Sequence, residues 1–148
     1  MRQCLFETGT FQMATLKVTP IAFAARPRLC LTDTSVLIVE DEPLIALGIH
    51  AALSATGASI IAGTNGAEAL DLIHNAEISV AVLDINLGDR DCSAACRALS
   101  RRRIPFLFYT GYPNSELLKE WPDAPVLIKP ARTRVIVERV AALVKRAG

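Results

Sequence analysis

No stretch of this chain is apolar for the roughly 18 residues that suggest a membrane-spanning helix, and no membrane association is expected. Aromatic residues are few, five Phe, two Tyr and one Trp among 148 residues, so a packed interior has to be built mostly from aliphatic side chains. The four cysteines, Cys4, Cys30, Cys92 and Cys96, have no paired metal-ligand spacing. Cys92 and Cys96 stand four apart, with Leu99 next on the same helical stripe, and read as small buried residues. Such cysteine usage fits a reducing, cytoplasmic compartment. His50 has no His or Cys beside it and reads as a surface or packing residue, not a ligand. Neither sign of charge dominates. The formal net charge of +1 points to no nucleic-acid surface and no acidic tail. The basic residues at Arg97 and 101–103, and from Arg132 to Arg146, read as solvated helix faces and favourable charge at helix C-termini.

Half of the residues are hydrophobic and about a fifth charged, a globular composition of a length that suits one domain. Residues 1–33 differ from the rest. They mix isolated apolar residues with Thr, Pro and Arg and hold no period. Arg26 and Arg28 interrupt the run Ile21-Ala22-Phe23-Ala24-Ala25, so an export signal is weakly supported. The expectation is a disordered extension or a start placed too far upstream, with Met13 as an internal candidate, and a folded domain over 34–148.

From Ser35 strand and helix patterns alternate. Four apolar strand-like runs end in polar groups: Val36-Leu37-Ile38-Val39 in Glu40-Asp41-Glu42, Ala81-Val82-Leu83 in Asp84, Phe106-Leu107-Phe108-Tyr109 in Thr110, and Val126-Leu127-Ile128 in Lys129-Pro130. Ser59-Ile60-Ile61-Ala62 is a further short strand. Pro43 suits the first turn of a helix, which Gly57 ends. Asn65 and Glu68 have the spacing of a capping box. Asp91 opens a helix expected over Cys92–Arg102, and the last helix is expected over Arg132–Lys145. Between Pro113 and Pro122 there is room for two turns of helix. Five βα units predict a doubly wound α/β fold, a five-stranded parallel sheet with helices on both faces.

In such sheets ligands gather at the carboxyl ends of the strands. Glu40, Asp41 and Asp84 meeting there would repel one another without a cation, and they suit Mg²⁺, with the Asn86 backbone carbonyl as a further oxygen. An aspartate can attack phosphorus to form an acyl phosphate. Thr110 and Lys129 are the residue types that bind the phosphoryl oxygens.

These motifs, Val-Leu-Ile-Val-Glu-Asp-Glu-Pro at 36–43, Leu-Asp-Ile-Asn-Leu at 83–87, Thr110 and Lys129-Pro130, resemble the response-regulator receiver domain of two-component signalling, a flavodoxin-like fold, over Ser35 to Ala147. The resemblance implies that Asp84 is the phosphoacceptor, that Glu40 and Asp41 hold Mg²⁺, and that Thr110 is the switch hydroxyl. Lys129 would bind phosphate, oriented by a peptide to Pro130 that is often cis in the family. It implies a sensor histidine kinase or histidine phosphotransferase as donor, and no enzyme activity beyond the domain's own phosphoryl acceptance and autodephosphorylation. Phe106 to Tyr112 is similar to the subgroup marked Phe-Ala-Thr-Gly-aromatic. Tyr109 departs from that motif's alanine, and strand alternation points it away from the Thr110 face. Val126 stands where many receivers carry an aromatic, three residues before the lysine. The expectation is therefore that Tyr112 and a short fourth helix carry the conformational change. Asn86 and Tyr112 flank the site and would tune hydrolysis. No output domain follows Gly148, so a single-domain regulator is expected, acting on an unidentified downstream protein or as a phosphate sink. A face of the fourth strand, short helix and last helix is available for a homodimer. Two rivals are a docking module that never takes phosphate and an aspartate-nucleophile phosphatase. The phosphatase would want an acid where Asn86 stands and a cap insertion that is absent.

Overall fold

A computed structural model describes residues 29–88 and 91–148. Strands β1 (Ser35–Val39), β2 (Ser59–Gly63), β3 (Val80–Leu83), β4 (Phe106–Thr110) and β5 (Val126–Ile128) alternate with helices α1 (Pro43–Ser54), α2 (Gly66–Asn75), α3 (Ser93–Arg101), α4 (Leu117–Glu120) and α5 (Thr133–Ala147). The strands form one parallel sheet in the order β2-β1-β3-β4-β5. This is the doubly wound arrangement expected from the sequence. The order reverses between β1 and β3, so the carboxyl ends of these two strands flank a crevice.

Why the sheet is central follows from its side chains. β1, β3 and β4 are apolar on both faces and almost wholly buried, whereas the edge strands β2 and β5 are partly exposed. Alternation divides the interior into two layers. Leu37, Val39, Ala81, Leu83, Phe106 and Phe108 pack against α2, α3 and α4. Val36, Ile38, Val82, Leu107, Tyr109 and Leu127 pack against α1 and α5. Truncating a fully buried member such as Leu37 or Leu107 to Ala is expected to cost about 3 kcal/mol. Leu31 lies ahead of the expected boundary at 34, yet it is buried in the second layer and its amide bonds to the Thr56 carbonyl at 2.9 Å. The extension expected over 1–33 otherwise lies, for residues 1–28, outside the described residues.

Local signals place most helix ends. Pro43 occupies the first turn of α1. Gly57, at φ +88°, makes the left-handed turn after it. Asn65 caps α2 by accepting from the Glu68 amide at 3.0 Å. The Glu68 carboxylate reaches one residue farther back than a capping box requires, to the Thr64 amide at 2.7 Å and hydroxyl at 2.9 Å. That pairing holds the Glu68 carboxyl below the usual carboxylate range. The Arg102 guanidinium donates to the carbonyls of Ile73 and Ala76, closing the C-terminus of α2. α3 starts at Ser93, not Cys92, because the Asp91 carboxylate accepts from the Ser93 amide at 3.0 Å and makes Cys92 the flanking residue.

α4 is one turn long, shorter than the two turns expected. The turn from Tyr112 to Ser115 and the Ser115 hydroxyl, which accepts from the Leu117 amide, occupy the first part of the segment. Pro122 closes it, since a residue preceding proline is disfavoured in the helical region. Trp121 anchors this end through its indole N–H to the Ser100 hydroxyl at 3.2 Å and an edge contact with Phe106. Cys92 and Cys96 are both buried with Sγ atoms 3.7 Å apart. The neighbouring Cys96 sulfur and burial push the Cys92 thiol up, which keeps it protonated and unreactive.

Candidate functional site

Backbone bonds continue past the strand ends and fix the residues that follow them. The Glu40 amide donates to the Gly63 carbonyl at 3.1 Å, Asp84 to Val39 at 2.9 Å, and Lys129 to Thr110 at 2.9 Å. The Glu40, Asp84 and Lys129 side chains therefore leave a backbone that is already hydrogen-bonded. Glu40, Asp84 and Thr110 are buried, and Asp41 is exposed. Glu40, Asp41 and Asp84 each offer an oxygen, and these oxygens all lie within 4.8 Å of one another. Lys129 joins them. Its ammonium is 2.7 Å from a Glu40 oxygen and 2.8 Å from Asp84 Oδ2, with Glu42 farther off at 3.9 Å. The other Asp84 oxygen accepts from the Asn86 amide at 3.4 Å.

One ammonium thus serves two buried carboxylates. Burial pushes the Glu40 carboxyl above its ordinary value, the bond from Lys129 offsets this only in part, and the charge of Asp84 adds to it. Burial by itself would depress the Lys129 ammonium. Hydrogen bonds and charge from Asp84 and Glu40 outweigh that and hold it above the usual lysine value. Three carboxylates against one ammonium leave an excess of two negative charges, which matches a divalent cation.

The rim opens into a cavity of about 550 Å³ lined by Asp41, Ile45, Asp84, Asn86, Tyr112 and Lys129 among others. On its far side the Thr110 hydroxyl oxygen accepts from the Tyr112 amide at 3.0 Å. The Tyr112 ring is 55% exposed and its hydroxyl accepts from the Asn86 side-chain amide at 3.4 Å. An isolated bridge between Asn86 and Asp91 narrows the loop after β3. The Lys129-Pro130 peptide is cis. All the residues singled out in the sequence, Glu40, Asp41, Asp84, Asn86, Thr110, Tyr112, Lys129 and Pro130, therefore lie at one end of the sheet. His50, set aside as a ligand, is an exposed α1 residue whose ring bonds to Ser54 at 3.3 Å.

Two residues near the ammonium were not foreseen there. Glu42 is one. Tyr109 is the other: it faces away from Thr110, as alternation predicts, and that is the face on which Lys129 lies. Its ring centroid is 5.4 Å from the Lys129 ammonium, and its hydroxyl accepts from the Ala131 amide at 3.3 Å. The signal was in the strand period, since Tyr109 pairs in register with Leu127, two residues before Lys129.

Residues 36–141 match the family model of the response regulator receiver domain. Among solved structures, the chain is similar to a CheY-like response regulator receiver domain protein from Methanospirillum hungatei JF-1, at 22% identity and TM-score 0.72, covering 77% of this chain and 95% of that one. It is also similar to the receiver domain of the Francisella response regulator 1452, at 26% identity and TM-score 0.69, covering 78% and 99%. A response regulator receiver protein from Sinorhizobium medicae WSM419 has 22% identity and TM-score 0.71, covering 78% and 97%.

Proposed function

The chain belongs to the response regulator receiver domain family, and from that premise we propose that it accepts a phosphoryl group on Asp84 from a histidine kinase or histidine phosphotransferase. The observation that carries this reading is the placing of the Lys129 ammonium within 2.8 Å of both Glu40 and Asp84 beside an acidic cluster. An Asp84 oxygen attacks phosphorus and forms a new O–P bond. The bond from phosphorus to the donor breaks, and its electron pair leaves with the donor imidazole. Glu40, Asp41 and Asp84, with the Asn86 backbone carbonyl, would hold Mg²⁺, which when bound neutralises charge on the phosphoryl oxygens. Lys129 shifts from Asp84 toward one of those oxygens. Thr110 donates its hydroxyl proton to another and keeps its own acceptor bond from Tyr112.

The donor approaches across α1. This helix carries no Asp, Glu, Lys or Arg, and Leu44 and Leu47 on its outer face are 84% and 63% exposed. Both lie in the turns next to Ile45, which lines the site. Charge-free apolar surface of this kind favours a protein partner. Output leaves by the opposite side, where one-turn α4 leaves Tyr112, Val126 and Ile128 uncovered. Within the family the chain fits the Phe-Ala-Thr-Gly-aromatic subgroup, read from Phe108 to Tyr112 with Tyr109 in place of alanine. Asn86 and Tyr112 tune how water reaches the acyl phosphate. The protein then acts through protein contacts or as a phosphate sink.

Intact-mass analysis after incubation with acetyl phosphate and Mg²⁺ tests this. One phosphoryl group is expected on the wild type and none on Asp84→Asn, nor on the wild type with chelator. An unmodified wild type, after a phosphorylated donor protein as well as acetyl phosphate, would favour a docking module instead.

A further inference from the structure

We propose that Tyr109 is a positioning residue for Lys129, holding the ammonium and the turn after it where the phosphoryl group arrives; this rests on the reading of Asp84 as the acceptor. The argument begins with how little else holds the lysine. β5 is a three-residue edge strand with two of its residues partly exposed, and the Lys129 amide makes the last ladder bond. Beyond it the side chain is a flexible four-carbon stem. Among the described residues the close partners of its ammonium are Glu40 and Asp84, and Asp84 must release it on modification.

Tyr109 supplies two restraints that survive that release. Its ring is almost wholly buried, on the sheet face that also carries Leu127 and in the same core layer as Val140 of α5, with its centroid 5.4 Å from the ammonium. An aromatic face at this distance attracts a cation, more strongly where water is excluded. Its hydroxyl accepts from the Ala131 amide at 3.3 Å, two residues beyond the lysine. A residue serving only to fill the layer would need no hydroxyl. Here the hydroxyl is directed to the backbone of the Lys129–Ala131 turn. Register partnership with Leu127 supplies the geometry, since a side chain at position 109 lies under whatever follows two residues after 127.

The test compares Tyr109→Phe, which keeps the ring, with Tyr109→Leu, which removes it. The first readout is ¹³C relaxation at the Lys129 ε-carbon in the unmodified protein, with exposed Lys145 as reference. The Lys129 order parameter is expected to fall in both variants, most in Leu, while Lys145 stays unchanged. An unchanged value at Lys129 would overturn the proposal. The second readout is the acetyl phosphate concentration giving half-maximal modification of Asp84. Expected increases are about threefold for Phe and about fivefold for Leu. In a Lys129→Ala background the Leu change should add less than about 1.5-fold, because the residue it acts through is gone. Equal cost with and without Lys129 would mean a packing role only and would also overturn the proposal. If the wild type takes no phosphoryl group, the Asp84 reading fails by itself, and the relaxation data alone decide whether Tyr109 positions Lys129.

Discussion

The Thr110 hydroxyl oxygen is the acceptor for the Tyr112 amide at 3.0 Å, so the hydroxyl proton stays available for a second partner. Thr110 is fully buried at the end of a central strand, whereas Tyr112 is more than half exposed in the loop leading to α4. A displacement of Thr110 toward Asp84 therefore pulls on backbone at the surface. Val126 cannot act as an inward-turning ring, and one-turn α4 offers little resistance. Beryllofluoride, a phosphoryl mimic, added with Mg²⁺ should change amide exchange over residues 112–122. Thr110→Val, which has no acceptor for the Tyr112 amide, should abolish the change. Identical exchange with and without the mimic in the wild type would contradict this route.

Glu40 is nearly inaccessible to solvent and its carboxyl is raised by that burial. A raised folded-state value means that the folded chain holds this proton more tightly than the unfolded chain. The stability it confers is fully present below the ordinary glutamate value and is lost as pH rises through the folded-state value. At neutral pH the ionised group is therefore a net burden on the unmodified domain. Glu40→Gln should raise the melting temperature at pH 7 by a few degrees. It should also flatten the fall in stability on the alkaline side of the ordinary glutamate value, and weaken Mg²⁺-dependent phosphoryl acceptance. Differential scanning calorimetry in a pH series, beside the intact-mass assay, separates the two effects. A variant less stable than wild type at pH 7 would mean that the bonds from Lys129 to Glu40 outweigh desolvation.

The outer face of α1 gives a prediction that distinguishes small from protein donors. Leu44 and Leu47 touch neither the acidic cluster nor the core. Replacing both with Ser should leave modification by acetyl phosphate within about twofold of wild type and stability nearly unchanged. Transfer from a phosphorylated kinase or phosphotransferase should slow by about tenfold or more, since two exposed leucines in an interface are each worth roughly 1 kcal/mol. Equal slowing with both donors would place these residues in the site itself.

How legible this was in the sequence varied with the reach of the interactions involved. Strand ends were readable because an apolar run that stops at a carboxylate or ammonium marks both burial and a rim, as at Leu83-Asp84 and Ile128-Lys129. The doubly wound fold class followed from the alternation of strand and helix; the strand order came from the structure. Local caps were read well at Asn65 and less well at Asp91, where one residue of offset moved the helix start from Cys92 to Ser93. The length of α4 was overestimated because the Ser115 hydroxyl and the Tyr112–Ser115 turn compete with helix for the same amides, a contest that propensity alone does not settle. Least legible was the neighbourhood of Lys129. That Tyr109 turns away from Thr110 was read from strand period, but that it turns toward the lysine depends on the β4–β5 register, a property of two strands 18 or so residues apart in sequence. The contact of Arg102 with the carbonyls of Ile73 and Ala76 was hidden for the same reason.

The central claim is that Asp84 itself becomes the acyl phosphate. Borohydride reduction after treatment with acetyl phosphate and Mg²⁺ converts an aspartyl phosphate to homoserine and leaves free carboxylates intact, so peptide mass analysis reports the site directly. The account predicts homoserine at position 84 and unchanged Glu40, Asp41 and Asp91. Homoserine at another aspartate, or phosphorylated protein with Asp84 intact after reduction, would contradict it.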